Sequence, residues 1–490
     1  MRQISHTKIE IIGETIESES FDPVFCLAAG HRYAAISSGR EQKGMFICMA
    51  LEIKSIKGTA DVLPSESYKW QFVERLFIDT AKLYGFGEIR IPTFEDKRLF
   101  IRSVGDTTDV VQKEMYTFTD QGGRDLALRP EGTAGVNRAV IESGLINGAL
   151  PVKLSYALSC FRAEKPQAGR MREFHQLGME LFGSASPSAD AEVISFVNDF
   201  FGILGIQNIS LEINSIGCPT CRKEYHAALR SYFEGKKACL CETCLGRLEK
   251  NPLRILDCKN PECHEIAKDA PVVLDYLCDD CRAHFEGLKK RLDAMNIAYT
   301  VNPRIVRGLD YYVRTVFEFV SGDLGAQSTV CGGGRYDGLI KSLGGADQPG
   351  IGYAMGVERL LMVMKAQGIE IPAPASCDLY IGSIGEEASI KALQLVGSLR
   401  EEGFTAECDI VGRSVKAQMK YADKIGARYS MILGDNELAE NKANIKNMES
   451  GETREIALDD ETLAQFFYDE EIESLSAAFG ADLDIPEMNK

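Results

Sequence analysis

No stretch of this chain is long and apolar enough to cross a membrane, and no basic, apolar leader of the secretory kind opens it. Positive charge is also in deficit: 55 Lys and Arg stand against 72 Asp and Glu, a net charge of −17. That balance excludes a protein that coats nucleic acid indiscriminately. It leaves room for a local basic track, because phosphate responds to the local field rather than to the total. What is present is ordinary for a soluble globular protein: 45% hydrophobic and 26% charged residues over 490, enough for two to four domains. Residues 1–48 show no clear periodicity, and Glu10, Glu14, Glu17 and Glu19 make them too acidic for a transit peptide. They are expected to be an extension without function, the working protein beginning near Met49.

Of 15 cysteines, nine lie between Cys218 and Cys281, several as Cys-x-x-Cys pairs. In a chain without a secretory signal this favours metal ligation in the cytoplasm over disulfides. Zinc takes four thiolates at tetrahedral geometry, so two pairs make one site. Cys241, Cys244, Cys258 and Cys263 form one ribbon-like group, and the outer pairs Cys218, Cys221, Cys278 and Cys281 can close a second. Reduced thiols in a small core remain the plainer alternative.

The most polar face in the text belongs to an expected hairpin. Period-two alternation from Lys153 to Glu164 puts Arg162 and Glu164 on one face. A polar loop, 165–170, carries Gln167 and ends on Arg170. The return strand sets Phe174, Gln176, Gly178 and Glu180 against Leu177, Met179 and Leu181. A face with that much polarity needs a ligand to satisfy it.

Several other stretches carry candidate chemistry. A helix from Ser65, striped by Trp70, Val73, Leu76, Phe77, Ala81 and Tyr84, leads to an expected edge strand over 88–94 containing Pro92, a plausible dimer surface. Glu131 and Thr133 stand where strand turns into helix, placed either to hold a substrate amine or to cap the helix. Arg307 is read at the start of a strand that presents the Tyr312 phenol on one face. Gly350–Gly356 reads as a small-residue strand, and the next helix opens on Arg359, against the helix dipole unless a polyanion is bound. After residue 376 short strands and helices alternate, and Arg413, Lys416, Lys420 and Lys424 fall at helical spacing. That basic face is either simply solvated or suited to RNA phosphate.

Together these stretches resemble a class II aminoacyl-tRNA synthetase, and within that class the histidyl-tRNA synthetase family. Arg162-Ala-Glu164 through Phe174 resembles the second class motif, Gly352 to Arg359 the third, and Gly85 to Pro92 the dimer-forming first. Leu128-Arg-Pro-Glu-Gly-Thr133 and Arg307-Gly-Leu-Asp-Tyr-Tyr312 resemble stretches particular to the histidine enzyme. The implied fold is α/β of the α+β kind, with an antiparallel-sheet catalytic core over 49–216 and 304–372. A Cys-rich helical insertion spans 217–303, an α/β anticodon-binding domain 377–470 and an acidic tail 471–490. Metal in the insertion is not implied by the family.

The resemblance implies activation of L-histidine by ATP with Mg2+, transfer to the 3′ end of tRNA(His), and a homodimer. It assigns the α-amino group to Glu131, Thr133 and Gln176, and the imidazole to Glu180 and Tyr312 with Tyr311 beside them. Arg162 and Arg307 are to grip the carboxylate and α-phosphate, Phe174 and Glu164 the adenine, and Arg170 and Arg359 the outer phosphates. Gln167 is to face the tRNA acceptor end. No side chain offers itself as a general base, so positioning and electrostatics must supply the catalysis. The rival is a synthetase-like regulatory subunit of histidine biosynthesis, which lacks the C-terminal α/β unit.

Overall fold

The computed structural model describes residues 53–479 except 106, 107, 257, 259 and 374–376, with backbone alone for 33–34, 47–48, 325–327 and 474–479. The expected extension 1–48 thus lies outside the described residues, apart from a two-residue pairing of Tyr33–Ala34 with Ile47–Cys48. So does the end of the tail, 480–490. The described residues fall into two compact units, those up to 63 with 76–367, and 64–75 with those from 368 on.

The first unit is built on an eight-stranded sheet. Its strands in chain order are β1 (Gly87–Glu88), β2 (Val152–Phe161), β3 (Glu173–Phe182), β4 (Ile209–Ser215), β5 (Thr300–Val301), β6 (Val313–Ser321), β7 (Thr329–Arg335) and β8 (Gly350–Gly356). In space they run β5-β4-β6-β7-β8-β3-β2-β1, antiparallel except for the outermost pair at each edge. One face is apolar: Leu177, Met179 and Leu181 lie on it with Ile351, Tyr353 and Met355, all buried. From residue 76 on, helix α1 (Pro64–Leu83) covers it together with helix α3 (Pro187–Ile203), Phe196 meeting Phe77 at 5.6 Å and stacking on Tyr353 at 6.3 Å. The opposite face receives helix α2 (Thr133–Glu142) and the start of helix α4 (Val357–Ala366).

Three expected strands are shorter than the text suggests, each because its backbone is captured elsewhere. The hairpin strand ends at Phe161: beyond Arg162 the ladder splits, Ala163 donating to Glu114 O and Arg172 to Gly58 O. The strand expected over 88–94 divides into β1 and Phe94–Asp96, because Arg129 takes the carbonyls of Ile91 and Pro92. Pro92 therefore lies in no strand, although β1 is an edge. Arg307 lies in a loop, 307–312, ahead of β6 rather than at its start. There the carbonyls of Gly308 and Tyr312 accept from Arg254 and Arg222 instead of from a neighbouring strand.

Residues 217–303 run between β4 and β6 as four helices, Pro219–Glu234, Glu242–Lys250, Pro261–Ala267 and Asp279–Ala294. They close on their own small core, where the cysteines pack with Tyr225, Leu229 and Phe233. The last of these helices is tied to the sheet by a buried charge network. Arg335, with no exposed surface, donates from Nε to Asp190 Oδ1 at 2.7 Å, and His284 Nε2 lies 2.7 Å from Asp190 Oδ2. Burial would raise the Asp190 carboxyl, but His284 and Arg335 hold it below the usual carboxylate range.

The second unit is a five-stranded sheet ordered Ala406–Cys408, Cys377–Ser383, Ala427–Leu433, Lys442–Asn447, Thr453–Ala457. The first three strands are parallel, the rest antiparallel. Helices Glu386–Glu401, Val415–Lys424 and Asp460–Phe479 accompany it. The last helix runs on beyond 470, where an acidic tail was expected to begin, because Leu463, Phe466 and Phe467 anchor it in the core.

Asp190→Ala leaves the Arg335 guanidinium buried without its charge partner. The variant should lose about 3–5 kcal/mol of stability, measured by urea unfolding; a loss under about 1 kcal/mol would refute the network's role.

Candidate active site

Small residues leave room on the sheet's polar face. Register pairs Glu180 with Gly352, Gly178 with Ala354 and Gln176 with Gly356, and across the next ladder Gly332 with Ala354 and Gly334 with Gly352. At two of these glycines backbone itself excludes a side chain: a Cβ on Gly352 would come 2.4 Å from Met179 O as well as 1.8 Å from Glu180 Oε2, and one on Gly334 would sit 2.5 Å from Thr315 O. Alternation along three strands thus makes a floor with almost no side chains, walled by long polar ones.

Helix α2 supplies one wall. The Glu131 carboxylate accepts from Thr133 N at 2.9 Å and from Ala134 N at 2.8 Å, satisfying two of the helix's unpaired N–H groups. Capping is therefore its role in the free chain, while it still lines the cavity. Thr133 Oγ1 donates to Glu180 Oε1 at 2.7 Å, and Cys160 Sγ lies 3.3 Å from Gln176 Oε1.

Cations complete the rim. Arg162 donates from Nε to Pro130 O at 3.0 Å and stands over the Phe174 ring, 5.2 Å from its centroid. Arg359 donates to Gly169 O at 3.1 Å and Thr329 O at 2.6 Å, which aims its charge inward from the first turn of α4. Burial lowers its pKa, and the nearby Arg170 lowers it further. Arg170 itself pairs with Glu164 at 3.0 Å. Arg307 pairs with Glu318; burial opposes its charge, but that carboxylate outweighs the burial and raises its pKa. Its Nε is buried with no partner among the described residues. Crowded guanidiniums and a buried N–H without a partner describe a site awaiting an anion.

One cavity brings together most of the expected residues: Arg162, Arg307 and Arg359, Glu131, Thr133 and Gln176, Tyr311 and Tyr312, Glu164, Arg170 and Phe174. Glu180 is the exception. It is wholly buried behind the wall, accepting from Thr133, from Tyr156 at 3.1 Å and from the Tyr336 hydroxyl. Burial pushes its carboxyl up to about 8, with the hydroxyls of Tyr336 and Thr133 pulling the other way. Gln167 sits exposed at the loop tip, outside that cavity. Sequence reading missed Glu318, Tyr156 and Tyr336. Glu318 had a signal: it is a lone carboxylate inside Val-Phe-Glu-Phe-Val, where a strand has no other reason to carry one.

The eight cysteines assemble into two groups of four, Cys218/Cys221/Cys278/Cys281 and Cys241/Cys244/Cys258/Cys263, each with its sulfurs within 4.8 Å of one another. Cys218, Cys241 and Cys278 are the N-cap residues of their helices, and Cys241 N donates to Cys263 Sγ at 3.2 Å and Cys278 N to Cys221 Sγ at 3.1 Å. Burial would raise Cys218, yet the N–H groups of Cys221 and Thr220 hold its thiol down to about 6. A tetrahedral zinc site with Zn–S near 2.3 Å has sulfur–sulfur edges of about 3.8 Å. The separations Cys218–Cys221, Cys218–Cys278 and Cys241–Cys258 are 3.6, 3.9 and 3.8 Å.

In the second unit Lys416, Lys420 and Lys424 are exposed along one face of their helix. Arg413 departs from that pattern. It precedes the Ser414 cap, pairs with Asp409 at 2.7 Å and covers the Tyr421 ring at 4.3 Å, because a carboxylate one turn upstream captures it.

Residues 58–360 match the family described as Histidyl-tRNA synthetase, and residues 378–462 match the Anticodon binding domain family. The Histidine--tRNA ligase of Acetivibrio thermocellus is 56% identical over 403 residues, 82% of this chain and 97% of the relative. That of Clostridium novyi is 54% identical over 408 residues, 83% and 97% of the two chains. The crystal structure of apo S. aureus histidyl-tRNA synthetase superposes with a TM-score of 0.73 at 38% identity, over 85% of this chain and 99% of that one.

A carboxyl whose folded pKa lies near 8 and whose unfolded pKa is near 4.3 holds its proton more tightly when folded. Its stabilising contribution is complete below about pH 4.3 and is lost as pH rises toward 8. Glu180→Gln should therefore flatten the fall in stability between pH 5 and 8 in urea titrations. A wild-type and variant pair with parallel pH profiles would show that Glu180 is already ionised in the folded chain.

Proposed function

The chain belongs to the histidyl-tRNA synthetase family, and from that premise we propose a task for each wall of the cavity. Its activity is the ATP-dependent activation of L-histidine to histidyl-adenylate, followed by transfer to the 3′ end of tRNA(His). In the first step a histidine carboxylate oxygen bonds to the α-phosphorus while the bond to diphosphate breaks. In the second a terminal ribose hydroxyl takes the acyl group and AMP leaves. Charge accumulates on the α-phosphate in the first step, and fixed cations facing it lower the barrier without reorganising.

Arg162 and Arg307 meet the carboxylate and α-phosphate, Arg307 from a position stiffened by Glu318. Phe174 stacks on adenine, Glu164 accepts from its amine, and Arg170 and Arg359 hold the outer phosphates, with Mg2+ arriving as the ATP complex. Binding ATP parts the Glu164–Arg170 pair, so each gains a ligand partner as it loses the other. Glu131, Thr133 and Gln176 take the α-amino group. Imidazole has one donor and one acceptor, which Tyr312 and Glu180 satisfy, Tyr311 packing beside them. Glu180 reaches the ring only when one of its three hydroxyl partners turns away. The convergence of three arginines, far apart in sequence, on one side-chain-poor floor carries this reading.

The regulatory-subunit reading is set aside, because residues 378–462 match the anticodon-binding family and the ligase relatives span nearly their whole length on this chain. We assign the two cysteine groups to structural zinc, on the sulfur spacing. Gln167 faces the acceptor end, and Lys416, Lys420 and Lys424, with Arg413 at their base, face tRNA phosphate. A cytoplasmic homodimer accords with this; the exposed Phe94 and Phe118 rings, 6.2 Å apart, are a candidate contact.

Arg307→Ala should slow histidine-dependent ATP–diphosphate exchange by about 10²–10³-fold while the circular dichroism spectrum stays that of the wild type. Exchange at the wild-type rate would remove Arg307 from the site.

A further inference from the structure

Loop 307–312 presents Arg307, Tyr311 and Tyr312 to the cavity, yet it belongs to no strand and draws much of its support from the cysteine-rich segment. Arg254 Nη2 donates to Gly308 O at 2.8 Å and to Asp310 Oδ1 at 2.9 Å. Arg254 lies in the buried turn Pro252–Ile255, and Cys258 N donates to Ile255 O at 3.1 Å, so one metal ligand closes the turn that aims it. Leu253 and Ile255 pack in the same core as the sulfurs. The second tie comes from the other cysteine group. Arg222, one residue after Cys221, donates to Tyr312 O and to Ile216 O. Beside it Arg314 N donates to Gly217 O at 2.9 Å, next to Cys218, and Arg314 is held at φ +52°, a left-handed conformation a residue with a side chain adopts only under constraint.

We infer that the two four-cysteine centres are pins for loop 307–312, with Arg222 and Arg254 as positioning residues, so that metal occupancy sets the affinity for histidine. This deepens the histidine reading given above and rests on it. The geometry weights the effect toward histidine, since Arg307, Tyr311 and Tyr312 all meet histidine whereas Arg307 alone of the loop reaches ATP, at its α-phosphate. The hydrogen bonds of Arg222 and Arg254 run to the loop and to Ile216, whereas Arg162 and Arg359 are fixed by Pro130, Gly169 and Thr329. A second cavity is lined by Arg162 and Arg170 together with Arg254, Cys258 and Gly308, so one cysteine group borders the same space as two of the cavity's arginines. One centre would hold two Cys-x-x-Cys helix starts together and the other a Cys-x-x-Cys helix start against Cys258 and Cys263, and with them the two guanidiniums. Loss of metal frees both ties at once.

The test uses the full chain. Elemental analysis should find about two zinc per chain in wild type and in Arg254→Ala. In diphosphate exchange, Arg254→Ala should raise KM for histidine tenfold or more and leave KM for ATP within twofold, with Arg254→Lys intermediate. Releasing zinc from wild type with a mercurial thiol reagent, then removing the reagent under chelator, should weaken histidine at least tenfold by isothermal titration. Equal rises in both KM values, an unchanged histidine KM, fewer than one zinc per chain, or metal release without effect on histidine binding each overturn the inference. If Arg254→Ala does not fold, Arg254→Lys and Arg222→Lys are read by the same KM ratio. Wild-type protein without histidine-dependent exchange would instead sink the functional reading beneath it.

Discussion

Everything in the candidate site depends on a sheet face that keeps almost no side chains where the cavity opens. Gly332, Gly334, Gly352, Ala354 and Gly356 come into register across two ladders, and the space above them is filled only by groups arriving from the rim. The price is a collection of buried charges with incomplete partners. Desolvating a guanidinium or a carboxylate costs several kcal/mol unless a counter-charge and hydrogen bonds restore it. Arg307 has Glu318, and Glu180 has three hydroxyls, but the Arg307 Nε remains without a partner among the described residues. Such a site gains more from an anionic ligand than a solvated one would, because the cost of desolvation has already been met in folding.

Net charge says little about this. The chain is acidic by 17 charges, yet the cavity on the sheet's polar face is rimmed by guanidiniums and one helix of the second unit exposes three lysines on one face. Screening over about 8 Å at physiological salt separates these regions from the acidic surface, and buried charges are screened less still. Local field and total charge are therefore independent quantities here.

How much of this was legible in the sequence depended on the range of the interaction. Alternation is local, so the face carrying Phe174, Gln176 and Glu180 could be read, as could the strand-to-helix passage ending at Thr133. Ligand spacing is local too, and the cysteines fell into the two foursomes that zinc chemistry suggests. What could not be read was depth and capture. Nothing near Glu180 announces that Tyr156 and Tyr336 cover it, since both hydroxyls come from other strands and loops. Nor does Ile91-Pro92 announce that Arg129 takes its carbonyls and breaks the expected strand. Arg413 failed for a shorter-range reason: a helical spacing was extended past the Ser414 cap to a residue that Asp409 already holds.

The loop at 307–312 joins these observations. A strand at that position would have fixed its side chains by pleat, with alternate residues on opposite faces. Arg307, Tyr311 and Tyr312 all line the same cavity, and adjacent residues 311 and 312 cannot do so from a regular strand. The backbone must therefore leave the ladder, and its polar groups must find partners elsewhere. The inserted segment enters the chain after β4 and returns before β6, so it emerges beside the place where those partners are missing. Two of its arginines fill the gap, one from the first turn of a cysteine-capped helix and one from a turn closed by a cysteine. An irregular loop thus acquires definite geometry from a segment with its own core, and the chemistry of thiolates becomes coupled, through two guanidiniums, to the chemistry of the cavity.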